Sequence, residues 1–144
     1  MRGMIICLVA AAACLSFSHE VDSTWKCLIP PKSVEGALKN SAAVFVGEVV
    51  KVTDAGNLSK ARLKVIVSWK GAEAKEVVVM FNDNHAESPH YRVGQSYLVF
   101  AGVSDGKLVT GPCSRTRQLE YAQEDLKQLD ARKKPKEEKK SGRK

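Results

Sequence analysis

Residues 61–69 alternate: Leu63, Val65, Val67 and Trp69 fall on one side of an extended chain, with Arg62, Lys64 and Ser68 on the other. A side-chain period of two fits a strand with one face buried and one face wet, the habit of antiparallel sheets. The neighbouring segments fall into line with it. Residues 42–52 are rich in Val and Phe and read as a second strand, with Gly47 marking a bulge or a close approach. Asp54-Ala55-Gly56-Asn57 is a turn signal between the two. Residues 76–81 form another apolar run, too continuous to show which face is buried, and residues 95–101 and 107–110 supply two more strands. Between them, 82–93 is a polar loop and 102–106 a turn.

Helices are expected on either side. Ser33 is an N-cap candidate for a helix over 33–41, with Val34, Ala37 and Leu38 on one face. Leu119, Ala122, Leu126 and Leu129 recur at i, i+3, i+7 and i+10 in a longer C-terminal helix, with Pro135 just beyond its end. The fold class expected is therefore all-β with flanking helices. Five strands suit a five-stranded, OB-type Greek-key barrel, although periodicity alone does not separate a barrel from a small sandwich.

At 144 residues the chain has the length of one domain, and its 44% hydrophobic content excludes collagen-like, coiled-coil and wholly disordered chains. The net charge of +7 invites a nucleic-acid reading, but residues 132–144 hold eight basic and two acidic side chains, six of the seven net charges. Basicity belongs to the tail. With no apolar side chain to bury, that tail is expected to be disordered and free to touch anionic surfaces. At the other end, Arg2 precedes an uncharged run over 4–15, followed by Ser16-Phe17-Ser18. This is the pattern of a signal peptide over 1–18, and the run is shorter than the roughly 20 residues a membrane span takes. Ala11-Ala12-Ala13-Cys14 leaves lipidation at Cys14 as a minor alternative. The expected organisation is a signal peptide (1–18), one exported domain (19–131) and a tail (132–144).

Cys7 and Cys14 would leave with the signal, so the mature chain keeps Cys27 and Cys113. In an oxidising compartment two cysteines are most simply one disulfide, here closing 87 residues from Cys27 to Cys113 inclusive. A catalytic thiol is the alternative, and it would need a nearby base.

Four segments then occur in a telling order: Ala43-Val44-Phe45-Val46-Gly47-Glu48-Val49, Trp69-Lys70-Gly71, Val93-Gly94-Gln95-Ser96-Tyr97-Leu98-Val99-Phe100-Ala101, and Thr110-Gly111-Pro112-Cys113-Ser114-Arg115-Thr116. The series resembles the netrin-like, TIMP-like domain of secreted proteins, which includes the tissue inhibitors of metalloproteinases. The resemblance covers roughly 25–129 and implies an OB barrel. Inhibitors of that family chelate the protease zinc through the first cysteine of an N-terminal Cys-x-Cys. By the resemblance Cys27 matches the second of those cysteines and pairs with Cys113, while the first falls on Trp25 and its partner falls near Glu87. Both halves of one family disulfide are thus missing, and with them the clamp that presents the chelating terminus.

Other chemistry is thinly represented. His85 and His90 lie with Asp83 in a polar loop, at a spacing that fits neither a helical pair nor a zinc finger, and solvated histidines are expected. Glu120, Glu124 and Asp125 read as the exposed face of the C-terminal helix. Phe45, Trp69, Phe81, Tyr91, Tyr97, Phe100 and Tyr121 sit mostly in apolar patterns, which favours core over a nucleotide-stacking platform. Asn57-Leu58-Ser59 is a glycosylation acceptor on a turn. No catalytic set, metal site or cofactor is expected. The functional expectation is an exported, monomeric, non-enzymatic module that binds a protein partner or surface and no nucleic acid. Its expected contact residues are Trp25, Lys26, Cys27, Gly111, Pro112, Ser114 and Arg115. The alternative is inhibition of an extracellular metalloproteinase by a chain processed to begin at Cys27.

Overall fold

Two short turns set the first and third hairpins, and the rest of the sheet is built around them. A computed structural model describes residues 33–138. The expected signal segment with Cys14, the residues Trp25, Lys26 and Cys27, and the tail beyond 138 lie outside the described residues. The elements run α1 (Val34–Asn40), β1 (Ala43–Ala55), β2 (Leu58–Lys70), β3 (Glu76–Phe81), β4 (Ser96–Ser104), β5 (Lys107–Thr110), β6 (Arg117–Gln118), a 3-10 turn (Leu119–Tyr121) and α2 (Gln123–Glu138).

Gly56, at φ +83°, opens a two-residue connection in which Ala55 pairs with Leu58, so β1 and β2 continue to the base of the turn. The turn is shorter than the four residues expected from sequence, because a two-residue hairpin loop leaves Asp54 and Ala55 in the ladder. Asp105 and Gly106 both have positive φ and join β4 to β5, with Ser104 opposite Lys107.

β1 pairs with β2 on one side and β4 on the other. The order continues β2-β3-β5-β4, with β3 and β5 parallel and every other pair antiparallel. The pairings therefore return to β1, and the sheet curls into a partly ring-like barrel. A sixth strand, β6, adds to β4 at Tyr97 and Leu98. At two residues it is too short to leave a periodic signal in the sequence.

The barrel creates two cores. Ala43, Phe45, Val49, Leu63, Tyr97 and Val99 point into the ring. Val44, Val46, Leu98 and Phe100 point outward under the helices, where Val34, Ala37, Ala122 and Leu129 cover them. β1 over 43–47 and β4 over 97–101 thus have both faces buried, which is why these stretches read as continuous apolar runs.

β2 departs from its expected single face. Its ladder with β1 jumps from Val46–Val67 to Gly47–Val65, leaving Ile66 as an extra residue. An extra residue reverses the phase of alternation. Leu63 and Val65 accordingly pack into the ring, Trp69 packs on the outer cluster, and Val67 is 37% exposed. Gly47 lies at this jump, and a Cβ there would meet Leu63 Cβ at 3.0 Å, so the expected bulge and close approach coincide.

The helices dock largely as expected. Ser33 Oγ accepts from the Gly36 N–H at 3.1 Å. At the other end of α1, Lys70 Nζ donates to the carbonyls of Leu38 (3.0 Å) and Lys39 (3.2 Å), which a seven-residue helix would otherwise leave unpaired. The C-terminal periodicity is divided between the 3-10 turn, holding Leu119, and α2, holding Leu126 and Leu129. α2 continues past Pro135 to Glu138 and so enters the segment expected to be disordered. The first residues of that segment have partners on the domain. Arg132 Nη2 meets Glu35 Oε2 at 3.1 Å, and Lys133 Nζ lies 5.1 Å from the centroid of Trp69. No helix among the described residues is long and apolar enough to cross a membrane.

Candidate functional site

The segment that leaves β5 carries four of the expected contact residues, Gly111, Pro112, Ser114 and Arg115, and it is held from three directions. Ser114 N–H bonds to the Gly111 carbonyl at 2.9 Å, closing a turn over Pro112 and Cys113. Ser114 Oγ donates to the Phe100 carbonyl at 2.7 Å and lies 2.6 Å from Thr116 Oγ1. Thr116 Oγ1 in turn accepts from the Phe100 N–H at 2.9 Å. These two hydroxyls satisfy the backbone N–H and C=O of Phe100, which lies between the stretches of β4 that pair with β5 and β6, and Ser114 also lines a cleft beside the turn.

Arg115 makes the third tie. Its Nε and Nη2 donate to Asp125 Oδ2 and Oδ1, both at 2.8 Å, in a two-pronged ion pair with α2. The hydrogen bond to Asp125 is the main influence raising the Arg115 pKa, and burial opposes it. The Asp125 side chain is 4% exposed. This corrects the expectation that Asp125 joins Glu120 and Glu124 on a wet helix face. Helical periodicity assigns faces only by apolar content, whereas a carboxylate can be buried when an arginine fork satisfies it.

Gly111, Pro112 and Cys113 are half-buried. On one side of the turn a cleft of about 230 Å³ is lined by Ala37, Ser41, Phe100, Val109, Pro112 and Arg115. On the other side a cleft of about 170 Å³ is lined by Leu58, Met80, Phe81, Val109, Thr110 and Pro112. Pro112 therefore forms a ridge between two mainly apolar depressions. Cys113 is not left as a free thiol, while its expected partner, Cys27, lies outside the described residues with Trp25 and Lys26.

The loop histidines do not converge. His90 Nδ1 lies 3.0 Å from Asp83 Oδ1, whereas His85 Nδ1 accepts from the Glu87 N–H at 3.3 Å. Among the described residues no group of three His, Cys, Asp or Glu side chains could hold a metal ion. Asn57 is exposed at the tip of the β1–β2 hairpin.

Most of the aromatics are inside. Tyr91 stacks edge-on to Phe81 and tilted against Tyr97, with centroids 4.9 Å apart in each case. Burial pushes the Tyr91 hydroxyl well above its ordinary pKa, and its bond to Thr110 Oγ1 at 3.1 Å offsets only part of that. Tyr121, the last residue of the 3-10 turn, is the exception at 69% exposure. It borders a third, polar cleft that no sequence pattern marked. No protein-family model matches the chain, and no curated protein matches it.

Proposed function

We propose that this chain is an exported, non-enzymatic binding module of the TIMP-like OB class, which engages a protein partner through the Pro112 ridge and the residues tethered beside it. The carrying observation is the ridge itself. A half-buried Gly111-Pro112 pair stands between two apolar clefts and is braced by the Ser114–Thr116–Phe100 bonds and the Arg115–Asp125 pair. A rigid apolar prominence between depressions suits a protein surface, where well-packed anchors in preformed pockets dominate affinity.

Three further observations support the reading. The ring order β1-β2-β3-β5-β4, with its single parallel pair, is the pairing expected of an OB barrel. The occupied state of Cys113 fits a disulfide to Cys27, which would fasten Trp25 and Lys26 beside the ridge. The segments that resemble the TIMP-like domain fall on β1, the end of β2, β4 and the braced turn.

The test is site-specific photocrosslinking. A benzoylphenylalanine in place of Pro112 should give a discrete adduct with an extracellular protein, while the same group in place of exposed Lys60 should not. Equal labelling at both positions, or none at either, refutes the reading. The intact mass of the exported protein decides its mode. A start at His19 with one disulfide leaves Cys27 internal, whereas a start at Cys27 makes metalloproteinase inhibition the function.

A further inference from the structure

The third cleft, about 440 Å³, is lined on one wall by His90 and Arg92 and on the other by Arg117, Gln118 and Tyr121, with Tyr97 also lining it. The sequence places these residues far apart, in the loop before β4 and in β6 with the 3-10 turn. Pairing of Tyr97 with Gln118 brings the walls together. The loop wall is fixed to the barrel, because the buried Tyr97 hydroxyl donates to the His90 carbonyl (2.7 Å) and accepts from the Arg92 N–H (3.1 Å).

Its charges are poorly compensated. Arg92 has no carboxylate within ion-pair distance among the described residues. Arg117 Nε is 4.0 Å from Asp125 Oδ2, an oxygen that already receives the Arg115 Nε at 2.8 Å. His90 is held through Nδ1 by Asp83, which orients the ring and leaves Nε2 without a described protein partner. Tyr121, at 69% exposure, adds a broad apolar face beside the arginines.

We propose that this cleft binds an acidic peptide segment of a protein partner, with Arg92 and Arg117 taking side-chain carboxylates and Tyr121 packing against an adjacent apolar residue. Arginine's planar fork suits carboxylates, and tyrosine offers contact area at low entropic cost. A polyanionic chain fits less well. It would need a continuous basic track, whereas Asp83, exposed Glu87 and exposed Glu120 interrupt the positive surface in the same loop and 3-10 turn. The site is separate from the Pro112 ridge, so either can fail while the other stands.

The test is fluorescence anisotropy of the full protein with a fluorescein-labelled Gly-Glu-Leu-Glu-Leu-Glu-Gly peptide at low salt. Binding is expected with Kd of about 10–100 μM. Arg92→Gln and Arg117→Gln should each weaken it about five- to tenfold, and Tyr121→Ala about threefold, while Arg132→Gln leaves it unchanged. All four side chains are substantially exposed, so far-UV circular dichroism should be unaltered. Amide shifts in NMR should centre on Tyr97 and Gln118. No binding at about 1 mM peptide, or affinity insensitive to Arg92→Gln and Arg117→Gln, overturns the proposal. Shifts centred elsewhere do so too. A heparin hexasaccharide that binds more tightly than the peptide with the same arginine dependence overturns it in favour of a polysaccharide ligand.

Discussion

Replacing Arg115 by Met should destabilise the domain more than replacing its partner Asp125 by Asn, because the two side chains differ in access to water. Asp125 is 4% exposed and Arg115 is 21% exposed. Arg115→Met leaves a buried carboxylate whose nearest remaining cation is Arg117, 4.0 Å away. Removing one partner of a buried pair costs about 3–5 kcal/mol, and the Arg117 approach keeps the expected loss near the lower figure. Asp125→Asn keeps an oxygen acceptor and leaves the charge on the more exposed partner, so about 1–2 kcal/mol is expected. The double variant Arg115→Met/Asp125→Leu removes both charges and should recover at least half of the single-variant loss. Urea unfolding followed by circular dichroism measures each difference, and Arg115→Met should lower Tm by at least about 10 °C. An Arg115→Met variant within about 1 kcal/mol of wild type refutes the assignment of this pair as the brace of the 111–118 segment. So does an Asp125→Asn variant that is the less stable of the two.

Two further outcomes follow from the barrel. Gly71 has φ +65° and lies against the Ala42 carbonyl, where a Cβ has no room, so Gly71→Ala should cost at least about 2 kcal/mol by urea unfolding. Gly106, at φ +71° in open space, should lose only about 1 kcal/mol on the same change. The Tyr91 pKa is raised from its ordinary value of 10.0, so the unfolded chain releases this proton first and stability falls as pH rises above that value. Between about pH 10 and pH 11.5 the wild-type stability should fall more steeply than that of Tyr91→Phe, the difference approaching ~1.4 kcal/mol per pH unit. Equal slopes would show that Tyr91 ionises freely in the fold.

The sequence made the regular parts legible and the exceptions opaque, for a physical reason in each case. Alternation located β2, and Ile66 interrupts its polar side, but an apolar residue there does not by itself signal a phase reversal, since a bulge is set by pairing with the partner strand. The spacing of Leu119, Ala122, Leu126 and Leu129 found the docking face, yet Leu119 lies in a 3-10 turn, Ala122 between the two elements, and Leu126 and Leu129 in α2. Ser114 and Arg115 were identifiable by position, but their bonds to Phe100 and Asp125 are long-range and carry no local signature. The polar cleft was invisible for the same reason. Arg92 and Arg117 become neighbours only when β6 joins β4.

Strand β1 is the wall common to both cores, with Ala43 and Phe45 inside the ring and Val44 and Val46 beneath the helices. A residue on such a wall has no outward direction in which mutational drift is harmless. Change at any of these four positions must be matched by a size change in a different layer, so this stretch should diverge by paired exchanges rather than singly. The hairpin tip at Asn57 faces no such partner and can vary without disturbing either core, with Gly56 kept for its positive φ. Inherited variation in this fold should therefore collect at the ends of the barrel while the shared wall stays nearly fixed.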